Sequence, residues 1–102
     1  MNFNVPMAFP KFSLGKIVMS RGISCLVDEK SLNPQYFLLR HVQGDWSDMD
    51  EEDHIFNTNA LHNGGRIFSL YDVDKASFGI DKVYVITESD RSVTTVLLPS
   101  EC

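Results

Sequence analysis

Cysteine is scarce in this chain: Cys25 and Cys102 are the only two among 102 residues. That is too few for the disulfide framework on which small secreted domains depend, so a reducing, cytoplasmic setting is expected. Long apolar runs are missing as well. Nowhere do about 18 apolar residues follow one another, the length a membrane-spanning helix needs. The opening MNFNVPMAFP lacks the basic start and apolar stretch of an export signal. Basic charge is also in deficit, nine Lys and Arg against 14 Asp and Glu, for a formal net charge of -5. A chain of that balance repels phosphate backbones, so direct nucleic-acid binding is not expected. Also absent are a Walker loop, a dinucleotide fingerprint, zinc-ligand pairs, HExxH and a nucleophile elbow, so no cofactor or metal is expected.

What is present fits one α+β domain. With 43% hydrophobic residues, a chain of this length buries a core without staples. Residues 1–13, with Pro6 and Pro10, read as an extended arm that orders where Phe9 and Phe12 meet an apolar surface. The domain spans 14–102. A short β-prone run, Gly15 to Ser20, leads into Ile23, Leu26 and Val27, whose i, i+3, i+4 spacing predicts a short helix. Asn33-Pro34 then starts a second helix by capping and by the first-turn preference of proline. That helix runs from Gln35 to about Val42 and ends at Gly44.

Six carboxylates crowd into Asp45-Trp46-Ser47-Asp48-Met49-Asp50-Glu51-Glu52-Asp53. Ser47, Asp48 or Asp50 is placed to cap a third helix, with the following acids in its first turn, where the helix dipole favours them. That helix is expected to present Ile55, Phe56, Ala60 and Leu61 and to stop at Asn63-Gly64-Gly65. Trp46 is expected to anchor its loop in the core. From Arg66 the period changes to two, and the runs 66–73, 82–87 and 92–98 predict an antiparallel meander. The expected architecture is a three- to four-stranded antiparallel sheet with two to three helices packed on one face.

His54 and His62 stand eight apart on the third helix, roughly 12 Å along its axis, too far to share a metal. His41, at the end of the second helix, is the best single candidate for a functional histidine beside its capping role.

Four strings, KFSLGKIV, HVQGDW, GGRIFSLY and ITESDRSVTTVLLP, together resemble a family of small bacterial proteins of plasmids and integrated mobile elements. Its members are called plasmid-related proteins or, in some cases, type I restriction endonuclease subunits. The likeness spans residues 11–101. It implies a mobile-element setting without implying an activity, and 102 residues without a methyltransferase motif exclude a modification subunit. Two functions follow. The first is a non-catalytic protein-interaction factor, accessory or counter-defence, whose Asp45, Trp46, Asp48, Asp50, Glu51, Glu52 and Asp53 meet a protein partner such as a host nucleic-acid-binding protein. The alternative is a small RelE/barnase-like ribonuclease using His41, Arg66, Arg91 and Thr94 or Thr95, which requires those groups to converge on one concave surface. A homodimer is a separate expectation, from the apolar run Val93 to Leu98.

Overall fold

Local rules set the helix ends in the computed structural model, which describes residues 10–102. Strand β1 (Lys16–Met19) runs directly into α1 (Arg21–Lys30), whose first turn is capped by the Ser20 hydroxyl. Asn33 caps α2 (Pro34–Val42) through Gln35 N–H, with proline in the first turn. Of the three cap candidates for α3 (Glu51–Asn63) it is Asp50 that accepts from Asp53 N–H, and Gly64 closes the helix at φ 80°. Strands β2 (Ile67–Asp72), β3 (Lys82–Thr87) and β4 (Val93–Leu97) follow, with a one-turn α4 (Lys75–Phe78) inside the 74–81 connection.

The α+β architecture is as expected, with a meander of β2, β3 and β4. The fourth strand adds a correction to its expected direction: the order is β1-β4-β3-β2, and β1 lies parallel to β4. A strand that passes straight into a helix has no hairpin through which to reverse, and it reaches β4 only by the long crossover. Gly15 makes this docking feasible. Its φ is +63°, and a Cβ there would sit 2.4 Å from the Ser92 carbonyl oxygen.

The register places Ile67, Ser69, Tyr71, Val83, Val85, Thr87, Thr94 and Val96 on one sheet face. The strand members of both buried apolar clusters belong to this face, and α1 and α2 cover it with Ile23, Phe37 and Leu38, while Trp46 and Ala60 close its far end around Ile67. Each large apolar side chain so buried contributes about 1.5–3 kcal/mol. The opposite face carries Phe68, Leu70, Tyr84, Ile86, Thr95 and Leu97. Of the arm, Phe12 does find its apolar surface, in the cluster with Trp46; Phe9 lies outside the described residues.

Candidate functional site

Helix α2 turns Phe37, Leu38, His41 and Val42 inward, so His41 shares the core stripe. It is fully buried. It meets a chain of hydroxyls there because the two-residue period of the strands brings Ser69, Thr87 and Thr94 onto the same inner face. Ser69 Oγ lies 2.5 Å from His41 Nδ1 and Thr87 Oγ1 lies 2.8 Å from Nε2. Thr87 and Thr94 hydroxyl oxygens are 2.6 Å apart, and Thr94 donates to the Leu14 carbonyl at 2.7 Å. Trp46 Nε1–H donates to Ser69 Oγ at 2.8 Å.

The two ends fix the proton order of this chain. Trp46 can only donate and the Leu14 carbonyl can only accept. Thr94 uses its proton on Leu14, so Thr87 donates to Thr94, and His41 Nε2–H donates to Thr87. At the other end Ser69 donates to Nδ1 and accepts from Trp46. His41 is thus the neutral Nε2–H tautomer, with both ring nitrogens occupied. Burial drives its pKa down from 6.5 to about 3, which keeps it uncharged. Phe12 adds an edge-to-face contact at 5.1 Å. Neither expected role of His41, cap or reacting group, matches this position; it holds the core's polar groups together.

Arg40, one residue earlier, points to the rim. Its Nε and Nη2 contact the Asp45 carboxylate at 2.7 and 3.3 Å, its Nη1 contacts Asp48 at 3.2 Å, and Nη2 reaches Ser47 Oγ at 2.9 Å. The guanidinium lies 4.4 Å over the Tyr71 ring, whose hydroxyl donates to the Asp45 carbonyl. The Arg40 hydrogen bond holds the Asp45 carboxyl at about 2, below its ordinary value. For Asp48, burial works upward, but the Asp72 amide and Arg40 outweigh it and its pKa is lowered.

The expected acidic contact surface is therefore smaller than the run suggests. Asp45 and Asp48 are engaged by Arg40, Asp50 is a helix cap, and Trp46 is 3% exposed. Glu51, Glu52 and Asp53 remain exposed on the first turn of α3. A second correction concerns that helix's phase. Ile55 and Phe56, expected to be presented together with Ala60 and Leu61, are 54% and 63% exposed, whereas Ala60 is buried. Asn57 sets the phase instead. Its amide donates to the Phe68 carbonyl at 2.5 Å and accepts from the Phe68 N–H at 3.0 Å, capping the free edge of β2 as a short strand would, while Ala60 packs with Ile67 and Trp46. With Asn57 and Ala60 inward, the 100° step per residue puts Glu51, Glu52, Ile55 and Phe56 on one outward stripe. The signal in the sequence is Asn57 itself, a buried-strand cap sitting where an apolar residue would continue the 55, 56, 60 pattern.

Compared with known protein families, curated proteins and solved structures, the chain matches none of them. Its chemistry rests on its own residues.

The ribonuclease set does not gather. His41 and Thr94 are buried in the interior chain, and Thr95 lies on the opposite face, paired across from Ile86. Arg66 pairs with Glu88 at 3.3 Å on the surface. Arg91 is turned to the end of α3, donating to the carbonyls of Gly65 at 2.6 Å and Ala60 at 3.2 Å. Among the described residues no group of three or more His, Cys, Asp or Glu is placed to hold a metal, and no helix is long and apolar enough to cross a membrane.

Proposed function

We propose that the protein is a non-catalytic interaction factor, and that it binds a basic protein surface through the outward stripe of α3. The observation that carries this is the pairing of two large exposed apolar side chains, Ile55 and Phe56, with Glu51 and Glu52 one turn away. Apolar area supplies affinity and the acids supply charge complementarity, a division common in protein interfaces. Beside Phe56 a hollow of about 220 Å³ is lined by Met49, Asp53, Asn57 and Phe68, and Phe68 stacks edge-on to Tyr84 at 4.7 Å. The apolar surface thus continues from the helix onto the outer sheet face.

The net charge of -5 favours a cationic partner and disfavours nucleic acid itself. A host protein that binds nucleic acid has such a surface, and the resemblance to mobile-element proteins is consistent with an accessory or counter-defence role in the bacterial cytoplasm. No comparable observation supports the ribonuclease alternative, whose required residues are divided between the core, two sheet faces and a helix end.

The test is affinity capture from a bacterial lysate with the full chain, with Phe56→Ser, and with Glu51→Gln plus Glu52→Gln. These positions are solvent-exposed, so circular dichroism is expected to be unchanged. The reading requires one stoichiometric partner held by the parent chain and lost from both variants. A partner retained equally by all three, or none at all, overturns it.

A further inference from the structure

The two edges of the sheet are treated differently. The β2 edge is obstructed at both ends: the Asn57 amide occupies both backbone groups of Phe68, and the Asp48 carboxylate accepts from the Asp72 N–H at 3.0 Å. Strand β1 forms the other edge, and among the described residues no strand pairs with its outer side. Its side chains Ile17, Val18 and Met19 are 48%, 37% and 42% exposed. It lacks the devices that usually protect an edge, having no proline, no bulge and a single charge, Lys16, at its start. Self-association is expected from the run Val93 to Leu98 through cover of its faces or pairing at its edge; β4 lies between β1 and β3, so the edge available for pairing is that of β1.

The backbone of β1 specifies what the open edge accepts. Lys16 N–H donates to the Ser92 carbonyl and Ser20 N–H to the Val96 carbonyl. In a parallel ladder both backbone groups of a residue face one neighbour and those of the next residue face the other way. Lys16, Val18 and Ser20 therefore face β4, and Ile17 and Met19 present their N–H and C=O groups outward.

We infer that this edge takes a second copy of the chain, β1 pairing antiparallel with the partner's β1 about a twofold axis at Val18. Only a symmetric register is open to identical strands in one sheet, and the outward groups choose among them. Ile17 must lie opposite Met19 of the other copy for both to form a hydrogen-bonded pair, and Met19 then lies opposite Ile17. Val18 meets Val18 as the close, non-hydrogen-bonded pair on the axis. The same register sets Lys16 opposite Ser20 of the other copy. Ser20 donates to the Glu101 carboxylate at 2.5 Å, and Gly22 N–H donates to the same group at 2.8 Å. Each end of the pairing thus brings an ammonium to a carboxylate, and this charge complementarity offsets the repulsion between two chains of net charge -5. On the helical face, a groove of about 660 Å³ along β1, lined by Ile17, Met19, Val27, Leu32 and Leu38 among others, receives the apolar side chains of the incoming strand. Main-chain bonds then give affinity and alternate side chains give register. The result is a continuous eight-stranded sheet.

The experiment uses the full chain with Cys25→Ser and Cys102→Ser, which removes both exposed thiols. Sedimentation equilibrium is expected to show a reversible dimer. Val18→Lys places two like charges face to face on the axis and is expected to weaken the dimer about a hundredfold, with circular dichroism unchanged. Val18→Cys is expected to form an intermolecular disulfide under mild oxidation, because close antiparallel pairs bring Cβ atoms to about 4.5–5.5 Å. Ile17→Cys, opposite Met19, is expected to cross-link poorly. A monomer at every concentration overturns the inference. So does a dimer indifferent to Val18→Lys, which would place self-association elsewhere, or an Ile17→Cys variant that cross-links as well as Val18→Cys.

Discussion

Arg40 and His41 are neighbours on α2, yet their side chains end in opposite electrostatic regimes. His41 enters the interior and, through Ser69 and Thr87, joins a chain of three hydroxyls and an indole, all neutral. Arg40 stays at the rim and meets two carboxylates. The contrast follows from desolvation. An ionised group taken out of water loses more than one neutral hydrogen bond returns, so the buried chain is built from groups that need no charge. At the rim water still screens the charges, and a forked guanidinium on a carboxylate is tolerated. Both regions tie the 40–48 segment to β2, but they fail under different conditions.

The largest effect is expected from His41→Leu. It fills the space with apolar atoms but leaves the Ser69 proton and a Thr87 lone pair without their partner in the core, and two buried polar groups so unsatisfied cost roughly 3–5 kcal/mol. Urea unfolding at neutral pH measures this, and a loss below about 1 kcal/mol would mean that the interior chain is no more critical than the rim.

Acidification of the parent chain separates the two regions next. His41 stays neutral in the folded state down to about pH 3, whereas its ordinary pKa is 6.5. Below 6.5 the unfolded chain binds a proton that the folded chain does not, so stability present above that pH falls as pH falls, over the window from 6.5 to 3. Roughly 2 kcal/mol is expected to disappear between pH 6 and pH 4. Asp45 acts in the same direction but later. Its carboxyl is depressed from 3.8 to about 2, so its contribution is intact above 3.8 and goes only as pH falls through 2. Unfolding titrations of the parent and of His41→Leu check the assignment: the mutant's profile between pH 6 and 4 is expected to be flatter.

Arg40→Met sharpens the same contrast from the rim. It releases Asp45 and Asp48 to water instead of stranding them, so the expected loss is about 1–2 kcal/mol. Raising the salt concentration is expected to shrink that loss and to leave the His41→Leu loss unchanged, because screening acts on exposed charges. Equal salt responses would erase the distinction. The smallest effect belongs to Arg66→Ala, which removes an exposed pair with Glu88 and is expected to cost about 0–0.5 kcal/mol by the same denaturation measurement.

Much of the fold was legible because its signals are local. The Asn33-Pro34 start, the Asp50 cap, the Gly64 stop and the three β-branched runs each act within a few residues. The parallel attachment of β1 was not legible, because a four-residue strand followed by a helix is compatible with either sheet edge and either direction. At the candidate site, helix-dipole reasoning places Glu51, Glu52 and Asp53 in the first turn of α3, but periodicity groups Ile55 and Phe56 with Ala60 and Leu61, which the structure separates. Helical periodicity reports which residues share a face; it does not report which face a strand edge will claim, and the bonds from Asn57 to Phe68 decided that. The buried histidine was hidden for a related reason. Ser69, Thr87 and Thr94 fall at inward strand positions, and His41 falls in the 37, 38, 41, 42 stripe, but the two patterns acquire meaning only when the helix is laid on the sheet.

Residue order alone therefore determined where most of the helices and strands begin and end and the excess of acid, since each depends on neighbours along the chain. The tertiary structure alone decided which acids remain free, that His41 is neutral and Arg40 paired, and that among the described residues one sheet edge is obstructed while the other is unpaired. Charge state and exposure depend on how much water is removed around a group, and that is set by segments distant in the chain.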